Sequence, residues 1–354
     1  MRILFLLSCL EPAGSETYCV ALAQAWQGRH EVHWISDRLH YGQNYTSMPV
    51  HRKAVPGGLL NTLRVARFIK KNEIQVVHSH SRRSHWVAAQ AAALTGIPHV
   101  TTIHQPPPVH WFSKTFACLG DRTIAIDEMV AQHLSARLGA DPAKIRLIRN
   151  GIDLSRYAPT PSPAYAQKRV LLLGRLTGGR WPAFAFFMEA LKRVAGGLPA
   201  TLFQIAGKVP PERAQEFTAR LQAAGGDIRP SRLEALGFVQ DLPSLLRSVD
   251  VVIAGGRSAL ESLATAKPVI LMGEGGVLGA CDASVWPQAL RTNLGDHLSP
   301  KDFDPAKLEH ALRELLLTPG WAAELGRWGR RQVERYYDIR AVAKEVERAY
   351  ESLL

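Results

Sequence analysis

The sequence predicts an α/β protein made of two doubly wound domains, and three observations support this prediction. Short apolar runs alternate with longer amphipathic stretches along the whole chain, which is typical of parallel βα units. The chain has 354 residues, whereas one ordinary domain has roughly 100 to 200. A proline-rich stretch at residues 157–163 interrupts the alternation and is typical of a linker. We therefore place the first domain at 1–163, the second at 164–332 and a final helix at 333–354.

The first half contains five predicted strands and four predicted helices. The apolar start of the chain is interpreted as a buried strand rather than a secretion signal, because Glu11 interrupts it and its basic region is a single Arg. Gly28 and Gly96 follow two predicted helices, where glycine commonly ends a helix. The strands are residues 3–7, 31–35, 76–78, 99–103 and 123–126; the helices are residues 16–27, 59–71, 84–94 and 127–138.

The alternation starts again after the linker. Asp304 and Pro305 indicate a helix start, since aspartate caps helices and proline suits their first turn. Ligands of doubly wound domains bind at the carboxyl ends of the strands, so the loops there hold our candidate site residues. The strands are residues 170–173, 200–206, 236–239, 251–254 and 269–272; the helices are residues 184–194, 211–224, 242–248, 258–266, 305–317 and 333–354.

The composition excludes several classes of protein. With 46% hydrophobic and 21% charged residues, the chain is not intrinsically disordered. The 4 cysteines lack CxxC spacing, which favours reduced, buried thiols over a disulfide framework. No apolar run approaches the roughly 20 residues needed to cross a bilayer. We therefore expect a cytoplasmic protein that is soluble or attaches peripherally to the inner face of the cell membrane.

The first candidate site follows the first strand, at residues 12–16. Gly14 and Ser15 stand where a helix begins, and helix N-termini attract phosphate groups through their free N–H groups. The alternative is a tight turn in which Ser15 merely caps the helix. The segment lacks the GxGxxG pattern, and no acidic residue suited to a ribose ends the second strand, so nicotinamide binding is disfavoured.

A second candidate is the glycine-rich loop at residues 174–180. Arg180 and Trp181 stand where a Walker loop requires Lys and Ser or Thr, which argues against ATP hydrolysis by a P-loop. Arg175 and Arg180, on the glycine-rich loop that begins at Gly174, could instead bind the two phosphates of a diphosphate. The alternative is that both arginines are simply solvated.

A third candidate lies at residues 250–270, where a buried strand, a diglycine turn and a helix follow one another. Gly256, Arg257 and Ser258 could bind phosphate at the helix start, with Ser258 as its cap. Glu261 could accept hydrogen bonds from the two hydroxyls of a ribose. Alternatively, Ser258 and Glu261, which are three residues apart, form a capping box with no ligand.

Histidines form the fourth candidate: His78 and His80 at one strand end and His104 at the next. A metal site is not expected, because no third ligand has suitable spacing. Asp302 and Asp304 form the single Asp-x-Asp of the chain, but the following proline indicates a helix cap.

Taken in order, these motifs resemble those of the GT-B-fold glycosyltransferases, specifically the retaining family 4 enzymes (glycosyl transferases group 1). The densest matches are residues 76–80, 97–104, 147–153, 173–175, 236–238 and 259–269. The resemblance runs from Met1 to the final helix. It implies two Rossmann-like domains with an interdomain cleft, and a last helix that crosses back to the first domain.

The resemblance also implies roles for individual residues. Arg175 would contact the donor diphosphate, assisted by Arg180, which replaces a usual lysine. Glu261 would bind the ribose of the nucleotide, and His104 would lie near the transferred sugar. Gly14 and Ser15 would form a loop facing donor and acceptor.

The sequence departs from the family at two further positions. Family members usually carry a second glutamate eight positions before Glu261, and Ile253 stands there. The turn at 255–258 is also similar to that of lipid-linked muropeptide glucosaminyltransferases of the same fold. Ala13 replaces a usual glycine, which is a milder change.

We therefore predict a glycosyltransferase that moves a sugar from a UDP- or GDP-linked nucleotide sugar to a cell-surface glycan or a lipid-linked glycan precursor. It would need neither metal nor cofactor, and retention of configuration is implied by the resemblance. Two alternatives are a non-catalytic nucleotide-sugar-binding subunit and a nucleotide-sugar epimerase of the same fold.

The net charge of +12 is concentrated in residues 51–100, which contain a single acidic residue, Glu73. This basic amphipathic region predicts contact with an anionic membrane or an anionic glycan acceptor. The alternative is a solvated helix face, and no nucleic-acid recognition motif is present. The basic residues are Arg52, Lys53, Arg64, Arg67, Lys70, Lys71, Arg82 and Arg83.

Overall fold

The computed structural model describes residues 1–8, 14–36, 45–47, 57–111, 118–159, 167–195 and 198–354. Within these residues the chain divides into two compact units. The first is Met1–Ile152 with Tyr337–Leu354, and the second is Asp153–Tyr336. Each unit contains a sheet with helices on its faces, which confirms the predicted α/β class. The predicted domain boundaries at 163 and 332 remain predictions, and most of the predicted linker lies outside the described residues.

The sheet of the first unit has seven parallel strands in the order β3-β2-β1-β4-β5-β6-β7. An interior strand, β1, is apolar from Ile3 to Leu7 because both faces of a parallel sheet are covered. The strands are β1 (Arg2–Leu7), β2 (Glu31–Ser36), β3 (Tyr45–Ser47), β4 (Val76–Ser79), β5 (His99–Ile103), β6 (Arg122–Ala125) and β7 (Ile145–Leu147).

Alternate residues of β1 enter two different cores. Phe5 packs with helices α1 and α12 on one face, whereas Leu4 and Leu6 pack with α2 and α3 on the other. The helices of this unit are α1 (Gly14–Ala25), α2 (Gly57–Lys71), α3 (Arg82–Thr95), α4 (Glu128–Leu138) and α12 (Ile339–Glu351).

The sheet of the second unit has six strands in the order β10-β9-β8-β11-β12-β13, all parallel except β13. Its strands are β8 (Lys168–Leu173), β9 (Thr201–Ala206), β10 (Arg232–Gly237), β11 (Val251–Ala254), β12 (Val269–Gly273) and β13 (Gly276–Ala280). Its helices are α5 (Trp181–Ala195), α6 (Ala214–Asp227), α7 (Leu242–Arg247), α8 (Gly256–Ala264), α9 (Trp286–Arg291), α10 (Pro305–Leu317) and α11 (Pro319–Tyr337).

The end of the chain differs from the prediction of one helix at 333–354. The structure instead has α11 and α12, because the backbone leaves the helical region at Asp338 and the Asp338 side chain caps α12. The carboxylate accepts a hydrogen bond from the Arg340 amide at 2.9 Å. Val342 and Val346 of α12 are then buried in the core of the first unit.

Both sheets reverse their direction of growth at one point, between β1 and β4 in the first and between β8 and β11 in the second. At such a switch point the two connections leave in opposite directions, which opens a crevice beyond the carboxyl ends of the strands. The fold therefore provides one ligand-binding position in each unit. Among the described helices, none is long and apolar enough to cross a membrane.

Candidate active site

The switch point of the second unit gathers two of the three glycine-rich candidate segments. Gly174 follows β8, and Gly255 and Gly256 follow β11, its neighbour in the sheet. Gly256 has a φ of +53°, a left-handed conformation that suits glycine. A Cβ atom there would also overlap the Asp296 carboxylate. The strand order thus brings the loop at 174–180 and the start of α8 to one edge.

The guanidinium of Arg180 lies between these two loops, at the carboxyl ends of β8 and β11. The Nη1 and Nη2 atoms of its guanidinium lie 3.2 and 3.1 Å from the places that a Cβ atom would take at Gly174 and Gly256. Its Nη2 donates to Asp296 Oδ2, and its Nε lies 3.7 Å from Glu274 Oε1. Arg180, which the sequence predicts to bind the diphosphate, therefore already forms ion pairs with two carboxylates of the protein. Arg175, by contrast, is exposed at the carboxyl end of β8.

Helix α8 begins earlier than predicted. Its N-cap residue is Gly255, so Ser258 lies inside the helix and does not cap it. The Ser258 carbonyl accepts a hydrogen bond from the Ser262 hydroxyl at 2.8 Å. The predicted cap at Ser258 and its capping box with Glu261 are therefore wrong, because the diglycine turn already starts the helix.

Glu261 is buried, and its carboxylate is held by two neighbours. Arg257 Nε donates to Glu261 Oε1 at 3.1 Å, and the Tyr157 hydroxyl is hydrogen-bonded to the same carboxylate. Burial, followed by the charge of Glu261, raises the pKa of the Tyr157 hydroxyl, which thus stays protonated as a donor. This arrangement fixes a carboxylate beside the start of α8.

Ile253 is a fully buried residue of β11 and belongs to the apolar core of the second unit. A glutamate here would place its charge in that core rather than at the strand edge. The carboxylates that do reach the edge, Glu274 and Asp296, come from other segments.

At the first unit, Gly14 and Ser15 open α1 after β1, and both are half-buried. The Ser15 hydroxyl donates to Glu16 Oε2 at 2.7 Å. Ala13 lies outside the described residues. The two residues stand on the β1 side of the switch point. The neighbouring strand β4 ends at Ser79 and is followed by His80 and Ser81.

His104 follows β5, one strand further along the sheet. Its Nδ1 lies 3.1 Å from Asn150 Nδ2, and its ring stacks on that of His80, with centroids 5.8 Å apart. The ring of Tyr18 approaches it edge-on, with centroids 6.0 Å apart. Asn150 belongs to one of the motifs noted in the sequence but had no predicted role.

Three other histidines of this unit, His78, His85 and His99, are buried and form hydrogen bonds with hydroxyl groups. His78 contacts the Tyr350 hydroxyl at 2.6 Å and the Thr102 hydroxyl at 2.7 Å. The Ser79 hydroxyl lies 2.8 Å from ring nitrogens of both His85 and His99. Burial lowers the pKa of His78, His80 and His85 well below the ordinary value and that of His99 to about 4. These histidines are neutral at pH 7.

Asp302 and Asp304 have the structural roles that the sequence indicates. The Asp304 side chain caps α10 by accepting a hydrogen bond from the Ala306 amide at 2.8 Å, which confirms the predicted cap. Asp302 pairs with Lys307. The Asp-x-Asp pair therefore belongs to the start of a helix.

Known proteins are similar to both units of the chain. The family model for Glycosyltransferase Family 4 matches residues 12–156, and that for Glycosyl transferases group 1 matches residues 167–316. A solved glycosyltransferase from Rickettsia africae superposes with a TM-score of 0.80 at 18% identity, covering 99% of this chain and 98% of its own. The chain belongs to the GT-B-fold glycosyltransferases.

Two curated relatives and a further solved structure are also similar to this glycosyltransferase. A galactosyltransferase of Escherichia coli, which acts between UDP-Gal and α-D-GlcNAc-diphosphoundecaprenol, is 27% identical over 53% of both chains. The match thus spans about half of that relative. The α-maltose-1-phosphate synthase of Mycolicibacterium smegmatis is 24% identical over 78% of both chains. Anabaena HepE, solved with UDP and glucose, has a TM-score of 0.76 at 17% identity over 100% of both chains.

The basic region of the glycosyltransferase extends along α2 and reaches the start of α3. Arg64, Arg67, Lys70 and Lys71 are exposed on α2, and Arg82 and Arg83 are exposed at the start of α3. The end of α2 comes just before β4 and the start of α3 comes just after it. The two therefore lie at opposite ends of the strands, one at the amino ends and the other at the carboxyl ends. Lys70 and Lys71, at the end of α2, therefore lie apart from Arg82 and Arg83, at the start of α3. Arg52 and Lys53 lie outside the described residues.

Three polar residues of the glycosyltransferase's candidate site were missed from the sequence: Tyr157, Glu274 and Asp296. Glu274 and Asp296 each follow a glycine, which is the one local signal they carry. A glycine next to an acid is too common to identify a site, so their importance appears only from their contacts with Arg180.

Proposed function

We propose that this glycosyltransferase transfers a sugar from a UDP- or GDP-linked nucleotide sugar to a cell-surface glycan or a lipid-linked glycan precursor. The reaction needs neither a bound metal nor another cofactor and retains the anomeric configuration. The observation that carries the proposal is the convergence of Gly174, Arg180 and the start of α8 at the switch point of the second unit. Nucleotides bind at this point in doubly wound domains.

The chemistry requires stabilisation of a leaving diphosphate. The bond between the anomeric carbon and the diphosphate oxygen breaks, and its electron pair leaves with the nucleoside diphosphate. The acceptor hydroxyl forms the new bond to that carbon, and its proton passes to the departing phosphate or to solvent. Arg175, Arg180 and the N–H groups of Arg257 and Ser258 supply the positive charge that this leaving group needs. The N–H of Gly256, at the same helix start, already donates to the Leu294 carbonyl at 3.3 Å.

The remaining assignments follow from the surroundings of each residue. Glu261, a carboxylate buried beside the start of α8, is suited to accept hydrogen bonds from the ribose hydroxyls. We assign His104 to contact with the transferred sugar, and Gly14 and Ser15 to the loop that serves donor and acceptor. Each of these roles is a proposal that substitution can test.

A lipid-linked acceptor is supported by the surface of α2. Leu59, Leu60 and Leu63 are exposed by 54, 52 and 37%, and the cations of the same helix follow them. An exposed leucine cluster beside cations suits the interface of an anionic membrane. The Escherichia coli relative, whose acceptor is a diphosphoundecaprenol-linked sugar, supports the same class of acceptor.

The test is a donor screen by mass spectrometry. Wild-type protein and Arg175→Ala are incubated with UDP- and GDP-sugars and extracted lipid-linked glycans. The molecular masses of the products are then measured. We expect wild type to form a glycosylated acceptor and Arg175→Ala to form much less. Equal turnover by both would contradict the diphosphate assignment, and conversion of the donor without an acceptor would indicate an epimerase.

A further inference from the structure

One arginine of the donor site, Arg180, is contacted by two carboxylates within the part of the chain that the structure describes. Asp296 accepts a hydrogen bond from its Nη2, and Glu274 approaches its Nε at 3.7 Å. The two contacts bring two negative charges to one positive charge. A donor diphosphate, which carries further negative charge, would meet a net repulsive group here unless one carboxylate moved away.

Asp296 is built into this position. Its side chain is 10% exposed, and its carboxylate fits against the bare backbones of Gly255, Gly256 and Gly273, where a Cβ atom would overlap or crowd it. The segment before it, Asn293 to Gly295, has three successive positive φ angles of 48, 54 and 92°. Two of these residues, Asn293 and Leu294, are not glycine, so the backbone is strained in the segment that positions the Asp296 carboxylate.

Glu274 is held much more loosely. Its side chain is 32% exposed, and its contact with Arg180 exceeds hydrogen-bond length. It lies in the turn between β12 and β13, and its Oε2 covers the backbone of Gly179, where a Cβ atom would overlap it. The carboxylate therefore rests on the glycine-rich loop that is assigned to the diphosphate.

The two contacts differ in what their loss costs. Moving Asp296 would leave a buried charge without its partner, which is among the more costly changes in a folded protein. Moving Glu274 breaks a contact that is longer than a hydrogen bond and takes into solvent a carboxylate that is already partly exposed. When a diphosphate binds, we therefore expect it to replace the contact between Glu274 and Arg180, because breaking that contact costs less free energy.

We propose that the two carboxylates of Arg180 have opposite roles. Asp296 is a positioning residue that holds the guanidinium at the switch point, whereas Glu274 occupies the diphosphate position and is displaced when the donor binds. This inference rests on the proposed function, because it takes the donor diphosphate as the ligand. It assigns to the two acids effects of opposite sign on the same measurement.

The test is isothermal titration calorimetry of the full chain with UDP, GDP, ADP and inorganic pyrophosphate at pH 7.5. Glu274→Gln removes a negative charge from the ligand position, so we expect it to bind the preferred nucleotide about three- to tenfold more tightly. Asp296→Asn releases Arg180, and we expect binding about tenfold or more weaker. The control is Glu309→Gln, which removes a half-exposed acid paired with Arg313 on α10 and should bind as wild type does.

Two further measurements separate these roles from a general effect on folding. Uridine or guanosine, which lack phosphates, should bind both variants with unchanged affinity. In an Arg180→Ala background, Glu274→Gln should tighten nucleotide binding less than it does in wild type, and Asp296→Asn should cause no further weakening. A thermal melt of each variant identifies loss of the fold, and Asp296→Glu serves as a rescue of the charge if Asp296→Asn does not fold.

The outcomes distinguish this inference from the proposed function. If wild type binds a nucleotide and both acidic variants shift affinity in the same direction, the opposite roles are contradicted and the donor assignment stands. Tighter binding by Asp296→Asn would instead make Asp296 the displaced group and overturn the inference. If wild type binds none of the three nucleotides and no pyrophosphate, both the donor assignment and this inference fail.

Discussion

Asn150 fixes one ring nitrogen of His104. The Asn150 Nδ2 group donates to His104 Nδ1 at 3.1 Å. An amide NH2 group donates hydrogen bonds and does not accept them, so Nδ1 is the unprotonated nitrogen and the neutral ring carries its proton on Nε2. Asn150 therefore sets both the tautomer and the direction of the ring.

We expect Asn150→Ala to lower kcat about tenfold or more, with a smaller change in KM for the donor, since general acid–base and hydrogen-bonding groups lose efficiency when their tautomer is not fixed. Steady-state kinetics with the donor found in the screen measure this. Asn72→Ala is a suitable control, because Asn72 donates to the Phe68 carbonyl in the same unit and should leave kcat unchanged.

A double-mutant cycle tests whether Asn150 acts through His104. If it does, the Asn150→Ala change should add little to the loss already caused by His104→Ala. Fully additive losses would contradict the positioning role and leave Asn150 with a separate one.

The carboxylate of Glu261 gives a second prediction. We expect Glu261→Gln to weaken nucleoside diphosphate binding about tenfold, because a hydrogen bond to a charged acceptor contributes more than one to an amide. Titration with a 2′,3′-dideoxy nucleoside diphosphate provides the control, since that ligand lacks the hydroxyls assigned to Glu261. An equal loss for both ligands would show that Glu261 acts on the fold of α8 rather than on the ribose.

The buried position of Ile253 gives a third prediction. Ile253→Glu would place an unpaired charge in the core of the second unit, and we expect a loss of several kcal/mol of stability, or no folded protein. Ile253→Val removes one methylene and should cost about 1 kcal/mol. Thermal unfolding followed by circular dichroism measures both. A well-folded Ile253→Glu variant with faster sugar transfer would contradict the placement of this residue in the core.

Much of the fold could be predicted because its determinants are local. The apolar run of β8 and the Asp304 cap of α10 are both visible in the sequence, since burial on both faces and capping each require particular residue types. Strand β13 was not predicted, because Gly276 and Gly279 remove the apolar pattern that a buried strand normally has.

The candidate site was less predictable because its acids are placed by tertiary contacts. Arg180 could be found from its glycine-rich loop, but Asp296 reaches it through a left-handed segment that no short sequence pattern specifies. Ser258 was assigned as a cap on residue type alone. The turn at Gly255 starts the helix three residues earlier, so the backbone conformation of the glycines decided the outcome.

The buried histidines make the first unit sensitive to acid, which is the fourth prediction. Burial lowers the pKa of His99 to about 4 against an ordinary value of 6.5, so between these pH values the unfolded chain binds a proton that the folded chain does not. The contribution of His99 to the free energy of unfolding is therefore fully present above about pH 6.5. It is lost as the pH falls to about 4, which lowers the free energy of unfolding by about 3 kcal/mol. His78, His80 and His85 change stability in the same direction.

Hydrogen exchange measured by mass spectrometry at pH 7.5 and pH 5 tests this in the peptides that cover β4 and β5. We expect their protection to fall at pH 5 more than that of peptides from β8 and β11. His99→Gln should reduce the difference, whereas His310→Gln, at an exposed histidine of α10, should not. Equal protection at the two pH values, after correction for intrinsic exchange, would contradict the prediction.

The exposed face of α2 gives the last prediction, a salt-dependent attachment to anionic vesicles. Each lysine or arginine near an anionic surface contributes about 1 kcal/mol, so Lys70→Glu with Lys71→Glu should weaken binding by at least about tenfold at low salt. Leu59→Ser with Leu60→Ser should weaken it at both low and high salt, because burial of apolar surface is not screened. Vesicle flotation measures both, with Lys192→Glu plus Arg193→Glu, at two exposed cations of α5 in the second unit, as the charge-matched control. If wild type fails to float with anionic vesicles even at low salt, the cations and leucines of α2 serve another purpose, and binding to an anionic glycan becomes the next measurement.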